Sequence, residues 1–329
     1  MKTSSMGDVI HALPVLSDLQ SAMPGSVIDW VVESAFAEIP AWHPALNEVI
    51  PISIRRWRKS LGSKQTWSEI GAFRLRLRSR QTYDVVLDLQ GLYKSVLVAL
   101  AIKGVRAGYS FRCAREPLAA LAYSRRFDVD MNAHAIERMR QLTAQVFGYV
   151  PQGSPRFDLE LPAAGEHGAT DATFSRSPFA SLSYVVLLHA SARPEKLWQA
   201  REWRMLIAEL NRLGFATVLP WASLAEYEQA KLLANASELS WIPPAMSLTK
   251  CARLLAAAQG VVGVDTGLTH LAAALKAPTI SVFGATEAKR YGPYWSERAT
   301  NLGDIGRWPN CAQVLDALMP WLSKPAGTP

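Results

Sequence analysis

The chain has 329 residues, 49% of them apolar and 19% charged, which is too long for one ordinary core and too apolar for a disordered tail, so two globular domains are expected. A net charge of +7 and a pI of about 9.4 favour anionic partners: nucleic acid, an anionic lipid surface or a phosphorylated substrate. Charge alone does not choose among them, and ordinary solvated surface accounts for part of the excess. No apolar run reaches the length of a membrane span, and Asp8 and His11 interrupt the opening MKTSSMGDVIHALP where a signal peptide needs an unbroken apolar stretch. A cytosolic protein is expected. The three cysteines, Cys113, Cys251 and Cys311, are scattered; they form neither a disulfide framework nor a zinc site and read as buried thiols.

In chain order, short Val- and Ile-rich runs at 27–33, 48–53, 85–90 and 105–110 read as buried parallel strands. Amphipathic stretches at 10–22, 67–78, 93–102, 117–123 and 133–147 read as helices. This alternation predicts a parallel sheet with helices on both faces, the first domain, over residues 1–150. The segment GYVPQGSPRFDLELP (148–162) is rich in Pro and Gly and reads as a linker. Alternation restarts with strands at 184–189, 216–220, 239–243, 261–265 and 279–283 and helices at 201–213, 225–236, 248–258 and 268–275. That gives a second doubly wound domain over 163–310. A last helix at 311–322, in the terminal segment 311–329, is expected to cross back onto the first domain. Such architecture places ligands at the carboxyl ends of strands and by itself fixes no function.

Three segments can carry chemistry. In TSSMGDVIHALP a small polar turn opens into an apolar helix, and Gly7 permits close approach of a ligand to backbone. Asp8 reads first as a first-turn acid favoured by the helix dipole; the sharper alternative is a general base within reach of an acceptor hydroxyl. In HASARPEKLW, after the first strand of the second half, Arg193 and Lys196 are either surface charges or the cations that neutralise a diphosphate leaving group. In VVGVDTGLTHLAAA an apolar strand ends at Asp265, and the amides of Thr266, Gly267 and Leu268 open a helix suited to a pyrophosphate. Asp265 would repel phosphate, so it holds a hydroxyl or fixes the loop. His270 shares the helical face of Thr266 and reads equally as a structural histidine. Basic clusters at Arg55, Arg56, Arg58 and Lys59, at Arg112 and Arg115, and at Arg125 and Arg126 all lie in the first half. They read as an electropositive acceptor site able to meet anionic lipid, or as a solvated face. Trp57 among four cations favours a surface that touches something.

Together the SSMGDVIHALP opening, VIPISIRRWRK, DLQGLYKS, AREPLA and VDTGLTHLAAAL resemble the lipopolysaccharide heptosyltransferases of glycosyltransferase family 9, and most nearly their first-heptose branch. The resemblance runs from Lys2 to about Gly284. It implies an α/β protein of GT-B fold, two Rossmann-like doubly wound domains facing a central cleft, acceptor on the first and donor on the second. It implies inverting transfer of L-glycero-D-manno-heptose from ADP-heptose to the Kdo of Kdo2-lipid A, whose carboxylates and phosphates suit the basic first half. Under this resemblance Asp8 is the general base and Lys196 steadies the leaving diphosphate. Ser191, Glu226, Met246, Asp265, Thr266, Gly267 and His270 fall on donor-binding positions, with Glu226 on a ribose and Met246 near the adenine. Ser5, Gly7, Arg55, Arg56, Arg58, Lys59 and Arg115 fall on the acceptor side.

No Asp-x-Asp stands in a suitable loop, so no metal and no cofactor are expected; lysine and helix amides would do a metal's electrostatic work. Peripheral contact with the cytoplasmic face of the inner membrane, a monomer, and no nucleic-acid partner are also expected. Two departures from the family stand out. The family has an apolar strand of about the mean length before KTSSMGD, so the resemblance implies a central strand encoded upstream of Met1. Ala192 also replaces a hydroxyl residue beside Ser191, a lost hydrogen bond worth about 0.5–1.5 kcal/mol if unreplaced. The competing readings are a heptosyltransferase adding a later core sugar, a nucleotide-sugar epimerase, which the Arg55 to Lys59 cluster disfavours, and a nucleic-acid binder, for which no recognition helix or aromatic RNA-binding signature is present.

Overall fold

A computed structural model describes residues 1–163, 177, 179, 182–235 and 237–322. The chain divides into two compact units, Met1–Asp158 and Leu159–Pro329, and the boundary falls within the Pro- and Gly-rich segment. The expected helix end at Ala236, the start of the second domain at 164–176 and the terminal residues 323–329 lie outside the described residues.

In the first unit, β1 (Ile28–Glu33) pairs parallel with β2 (Leu46–Ile52), and β3 (Tyr83–Asp88), β4 (Gly104–Tyr109) and β5 (Arg125–Phe127) form a second parallel sheet in that order. Residues 1–3 bridge the two. The Met1 ammonium donates to Leu87 O at 2.5 Å, and Leu89 N–H donates to Met1 O at 3.1 Å. Glu33 N–H donates to Thr3 O at 3.0 Å and Trp30 Nε1 to Lys2 O at 3.0 Å. The first three residues thus satisfy backbone groups at the ends of β1 and β3. Val31, Ile50, Ile52 and Val86 pack with Trp57, Leu77, Val98 and Ile102 into one core.

The helix expected at 10–22 is two helices, Met6–Ala12 and Pro14–Ala22. Pro14 has no N–H and its ring would clash one turn back, so it takes the first position of a new helix. The segment 54–59, read only as a cationic cluster, is the helix Ile54–Lys59, pinned by buried Trp57.

The second unit is a six-stranded, all-parallel sheet. In sequence the strands are β6 (Tyr184–Leu188), β7 (Ala216–Val218), β8 (Ser240–Trp241), β9 (Gly260–Val264), β10 (Thr279–Val282) and β11 (Ala299–Leu302); their order in space is β11-β10-β9-β6-β7-β8. β6, β7, β9 and β10 are buried throughout, as continuous apolar runs require. Leu187, Val262 and Ile280 pack with Trp203, Leu206 and Leu210. The helix Cys311–Leu318, expected to cross back onto the first domain, contributes to this second core. Its apolar stripe, Cys311, Val314 and Leu318, is buried there. Gly260 makes room for it, since a Cβ at that position would sit 2.7 Å from Leu318 Cδ1.

Strand order reverses between β6 and β9. In a doubly wound sheet, the loops leaving the carboxyl ends of two such strands flank the usual ligand position.

Candidate active site

The loops at this reversal meet. Lys196 closes a short 3-10 turn, Pro194–Lys196, after β6, and Asp265 follows β9. Lys196 Nζ donates to Asp265 Oδ2 at 2.5 Å, and Thr286 Oγ1, from the loop after β10, donates to the same oxygen at 2.6 Å. His270 Nε2 lies 3.1 Å from Oδ1. Burial alone would raise the Asp265 pKa; hydrogen bonding and charge from His270 and Lys196 outweigh it and hold the carboxyl below the usual range. Asp265 is therefore an ionised, nearly saturated scaffold.

Next to it, Thr266 is the N-cap of helix Gly267–Ala274, with extended backbone and no side-chain cap bond. The first-turn amides beside it have no intrahelical acceptor, as at any helix start. A lysine ammonium and free amides thus converge at one strand end, an arrangement suited to a diphosphate.

The other donor-side residues follow strands β6, β7 and β8 of the same sheet. Ser191 Oγ accepts from Arg193 N at 3.3 Å. Arg193 is exposed and lies 4.0 Å from Glu195. The Glu226 carboxylate accepts from Ala222 N at 2.8 Å, and its carbonyl lies 3.2 Å from buried His189 Nε2. Burial pushes the His189 pKa down, and its imidazole joins the end of β6 to the helix after β7. Met246 is half-buried in the loop after β8, a loop tied by Trp221 Nε1 donating to Pro243 O at 2.7 Å.

In the first unit, Asp8 sits in the first turn of helix Met6–Ala12. Its Oδ2 accepts from Ser5 N at 2.9 Å and from Ser5 Oγ at 2.8 Å, and its Oδ1 faces Lys2 Nζ at 3.4 Å. Burial would raise its pKa, but Lys2, the two Ser5 bonds and His11 together hold it well below the ordinary carboxylate range. Its side chain stays 37% exposed.

The turn carrying Asp8 is fastened to the end of β3. Gln90 Oε1 accepts from Thr3 N at 2.9 Å and from Thr3 Oγ1 at 2.6 Å, and Gln90 Nε2 donates to Ser4 O at 3.2 Å. Asp88 in turn holds the DLQG turn, accepting from Gln90 N, Ser95 Oγ and Tyr123 OH at 2.7–2.8 Å. Gly91 needs its positive φ of 64° there, and a Cβ on it would lie 3.3 Å from the backbone of Ala114 and Arg115. The loop carrying Arg115 is thereby pressed onto the same turn.

Lys94 Nζ donates to Ser4 Oγ at 2.7 Å. Burial first, then Arg55 and Arg58, lower its pKa against Glu33 and Asp8. Lys94, Arg55 and Arg58 therefore share one positive field near Asp8. Arg56 does not join it: Glu69 binds its guanidinium through two contacts, at 3.1 and 2.5 Å, and also accepts from Trp57 Nε1 at 2.8 Å. Arg55, Arg58, Lys59 and Arg115 are exposed, and no carboxylate pairs with their side chains among the described residues. Gly7 is half-buried in the first turn beside Asp8.

Sequence reasoning did not single out Lys94, Gln90, His189 or Thr286 as site residues. The DLQGLYKS string held the first two and HASARPEKLW opened on His189, while Thr286 lay outside every motif. Among the described residues, no group of three or more His, Cys, Asp or Glu side chains is placed to hold a metal ion.

The family model of glycosyltransferase family 9 (heptosyltransferase) matches residues 70–320. The chain belongs to glycosyltransferase family 9. It is 44% identical over 295 residues to lipopolysaccharide heptosyltransferase 1 of Escherichia coli strain K12, covering 89% of each protein. It is 44% identical over 298 residues to the Pseudomonas aeruginosa PAO1 protein of that name, covering 89% of this chain and 80% of that one. Among solved structures, E. coli heptosyltransferase WaaC with ADP matches with a TM-score of 0.85 at 40% identity, over 98% of both chains. The same enzyme with ADP-2-deoxy-2-fluoro heptose matches with a TM-score of 0.79 at 41% identity, over 97% of this chain and 96% of that one. This family 9 protein is a glycosyltransferase, and its two Rossmann-like units are those of the GT-B fold.

Proposed function

We propose that the protein transfers L-glycero-D-manno-heptose from ADP-heptose to the Kdo of Kdo2-lipid A, inverting the anomeric centre, in assembly of the lipopolysaccharide inner core. The observation that carries this reading is the likeness, at 40% identity over 98% of the chain, to a heptosyltransferase bound to ADP. The donor diphosphate lies against Lys196 and the amides at the start of helix Gly267–Ala274. Glu226 and Met246 serve the nucleoside, and the anionic acceptor lies against Arg55, Arg58, Lys59, Lys94 and Arg115.

In one displacement the acceptor oxygen bonds to the anomeric carbon, its proton passes to Asp8, and the bond to the diphosphate breaks. Lys196 and the helix amides meet the charge that develops on the leaving ADP. Asp8 is a weak base at its depressed pKa. It therefore takes the proton late, when bond formation to carbon has made the hydroxyl strongly acidic. The reaction needs no metal, and the protein works peripherally on the cytoplasmic face of the inner membrane.

The test is transfer from ADP-heptose to Kdo2-lipid A in the presence of EDTA, read by mass. One added heptose is expected. Transfer that stops in EDTA and returns with Mg²⁺ would refute the metal-free mechanism, and no transfer from ADP-heptose with or without metal would refute the substrate assignment.

A further inference from the structure

The first unit exposes apolar side chains that its fold does not need. On the helix Tyr93–Ala99 and its C-cap, Tyr93, Leu97 and Leu100 are 47%, 71% and 51% exposed, and their i, i+4, i+7 spacing makes one stripe. On the adjoining 3-10 helix Pro117–Ala122, Leu118 and Leu121 are 60% and 65% exposed, and their i, i+3 spacing puts them on one face. The two helices pack on each other through their opposite faces, where Val96, Ala119, Ala120 and Tyr123 form a small buried cluster. Two apolar stripes on directly adjoining elements exceed the scattered single leucines of an ordinary surface.

Charge surrounds them. Residues 93–127 hold seven Lys and Arg against one Glu, a surplus of six in a chain whose whole net charge is +7. Arg126 Nε donates to Ala120 O at 2.7 Å and Arg106 Nε to Ala122 O at 2.9 Å, which fixes two guanidinium groups at the end of the 3-10 helix. Arg115 precedes that helix, and Lys103 follows the other; both are exposed. The single acid, Glu116, is engaged, its carboxylate accepting Tyr93 N–H at 2.5 Å.

We infer that the face formed by these two helices docks the protein on an anionic phospholipid bilayer, leucines at the acyl boundary and arginines at the headgroups. Aliphatic side chains ringed by cations fit that interface. Four of the five exposed apolar side chains in these stripes are leucines, which offer no ring face for stacking the bases of a single-stranded nucleic acid. The inference rests on the proposed function for one point only, that a membrane-borne acceptor gives docking a purpose.

The test is co-sedimentation of the full chain with phosphatidylglycerol-containing vesicles and with phosphatidylcholine vesicles. The wild type should bind the anionic vesicles, and binding should weaken as salt rises. Leu97→Gln/Leu118→Gln/Leu121→Gln should lower the partition coefficient about tenfold or more. The variant should keep its thermal midpoint and its transfer to a soluble, O-deacylated acceptor. Equal vesicle binding by both proteins would overturn the proposal. So would a dimer in sedimentation equilibrium that the triple substitution dissolves, because the face would then pair with a second copy. The vesicle assay uses no donor, so a failed heptose assignment and a failed docking face give different results.

Discussion

Each unit places one carboxylate beside one lysine at the carboxyl end of a parallel sheet, yet the two carboxylates are built for different work. Asp265 is buried and receives Lys196, Thr286 and His270. Asp8 keeps over a third of its side chain exposed and, among the described residues, is held by Ser5, Lys2 and the charge of His11. Both are held ionised by neighbouring charge and hydrogen bonds. The saturated carboxylate can only position; the open one can still accept a proton. Equal ionisation therefore does not mean equal chemistry, and coordination of the remaining lone pairs separates the two.

That contrast can be broken in order of expected effect. Asp8→Ala should cut kcat by about 10²–10⁴ while the donor Kd, measured by calorimetry, stays within about twofold of wild type on the same reading. Comparable turnover would remove Asp8 from the base role. Lys196→Ala should lower kcat about 10²-fold at saturating ADP-heptose; an unchanged kcat would leave Lys196 as no more than Asp265's counter-ion. Asp265→Ala removes the acceptor shared by a buried imidazole and a lysine and should lower unfolding stability by about 2–3 kcal/mol in urea titration.

The pH dependence sharpens that third prediction. The folded Asp265 pKa lies below its ordinary 3.8, so its stabilisation is fully present above about pH 4 and is lost as pH falls from there. The variant should lack that part of the acid slope, and an unchanged slope would count against the ion pair. Lys2→Met removes the main charge holding Asp8 down, and the acid limb of kcat/KM should move to higher pH; a fixed limb would assign it to another group. The smallest effect should be at Arg56. With Glu69 already bound to it, Arg56→Ala should raise the acceptor KM less than Arg58→Ala does, and the reverse order would place Arg56 in the acceptor site.

The architecture was legible because buried parallel strands are unbroken apolar runs; YVVLL and GVVGV leave no other reading. The edge strands β5 and β11 were not, since Arg125–Phe127 and Ala299–Leu302 are polar or half-exposed and owe their form to a neighbour. Pro14 was a legible break, and the helix drawn through it was wrong. At the site, residues within motifs were within reach of the sequence. The contacts that decide their roles were not. Lys94 meets Ser4 across 90 positions, and Thr286 meets Asp265 across 21. Arg56 looked identical to its neighbours until Glu69 separated it from them. The terminal helix carried a clear apolar stripe, but the surface that receives it, where Gly260 makes room for Leu318, lies far away in sequence.

All the strand pairings within the two sheets of the first unit and the sheet of the second are parallel, so among the described residues no hairpin is available to start one of these sheets. The central strand β6 pairs Val185 with Gly260. At a synthesis rate of about 5–20 residues per second, one side of that strand stays bare on the nascent chain for roughly 4–15 s. Slow non-local closure of this kind exposes a sticky, Val-rich ribbon to its neighbours on the polysome. Yield in a foreign host should therefore follow translation speed, growth temperature and chaperone supply more closely than the stability of the finished enzyme.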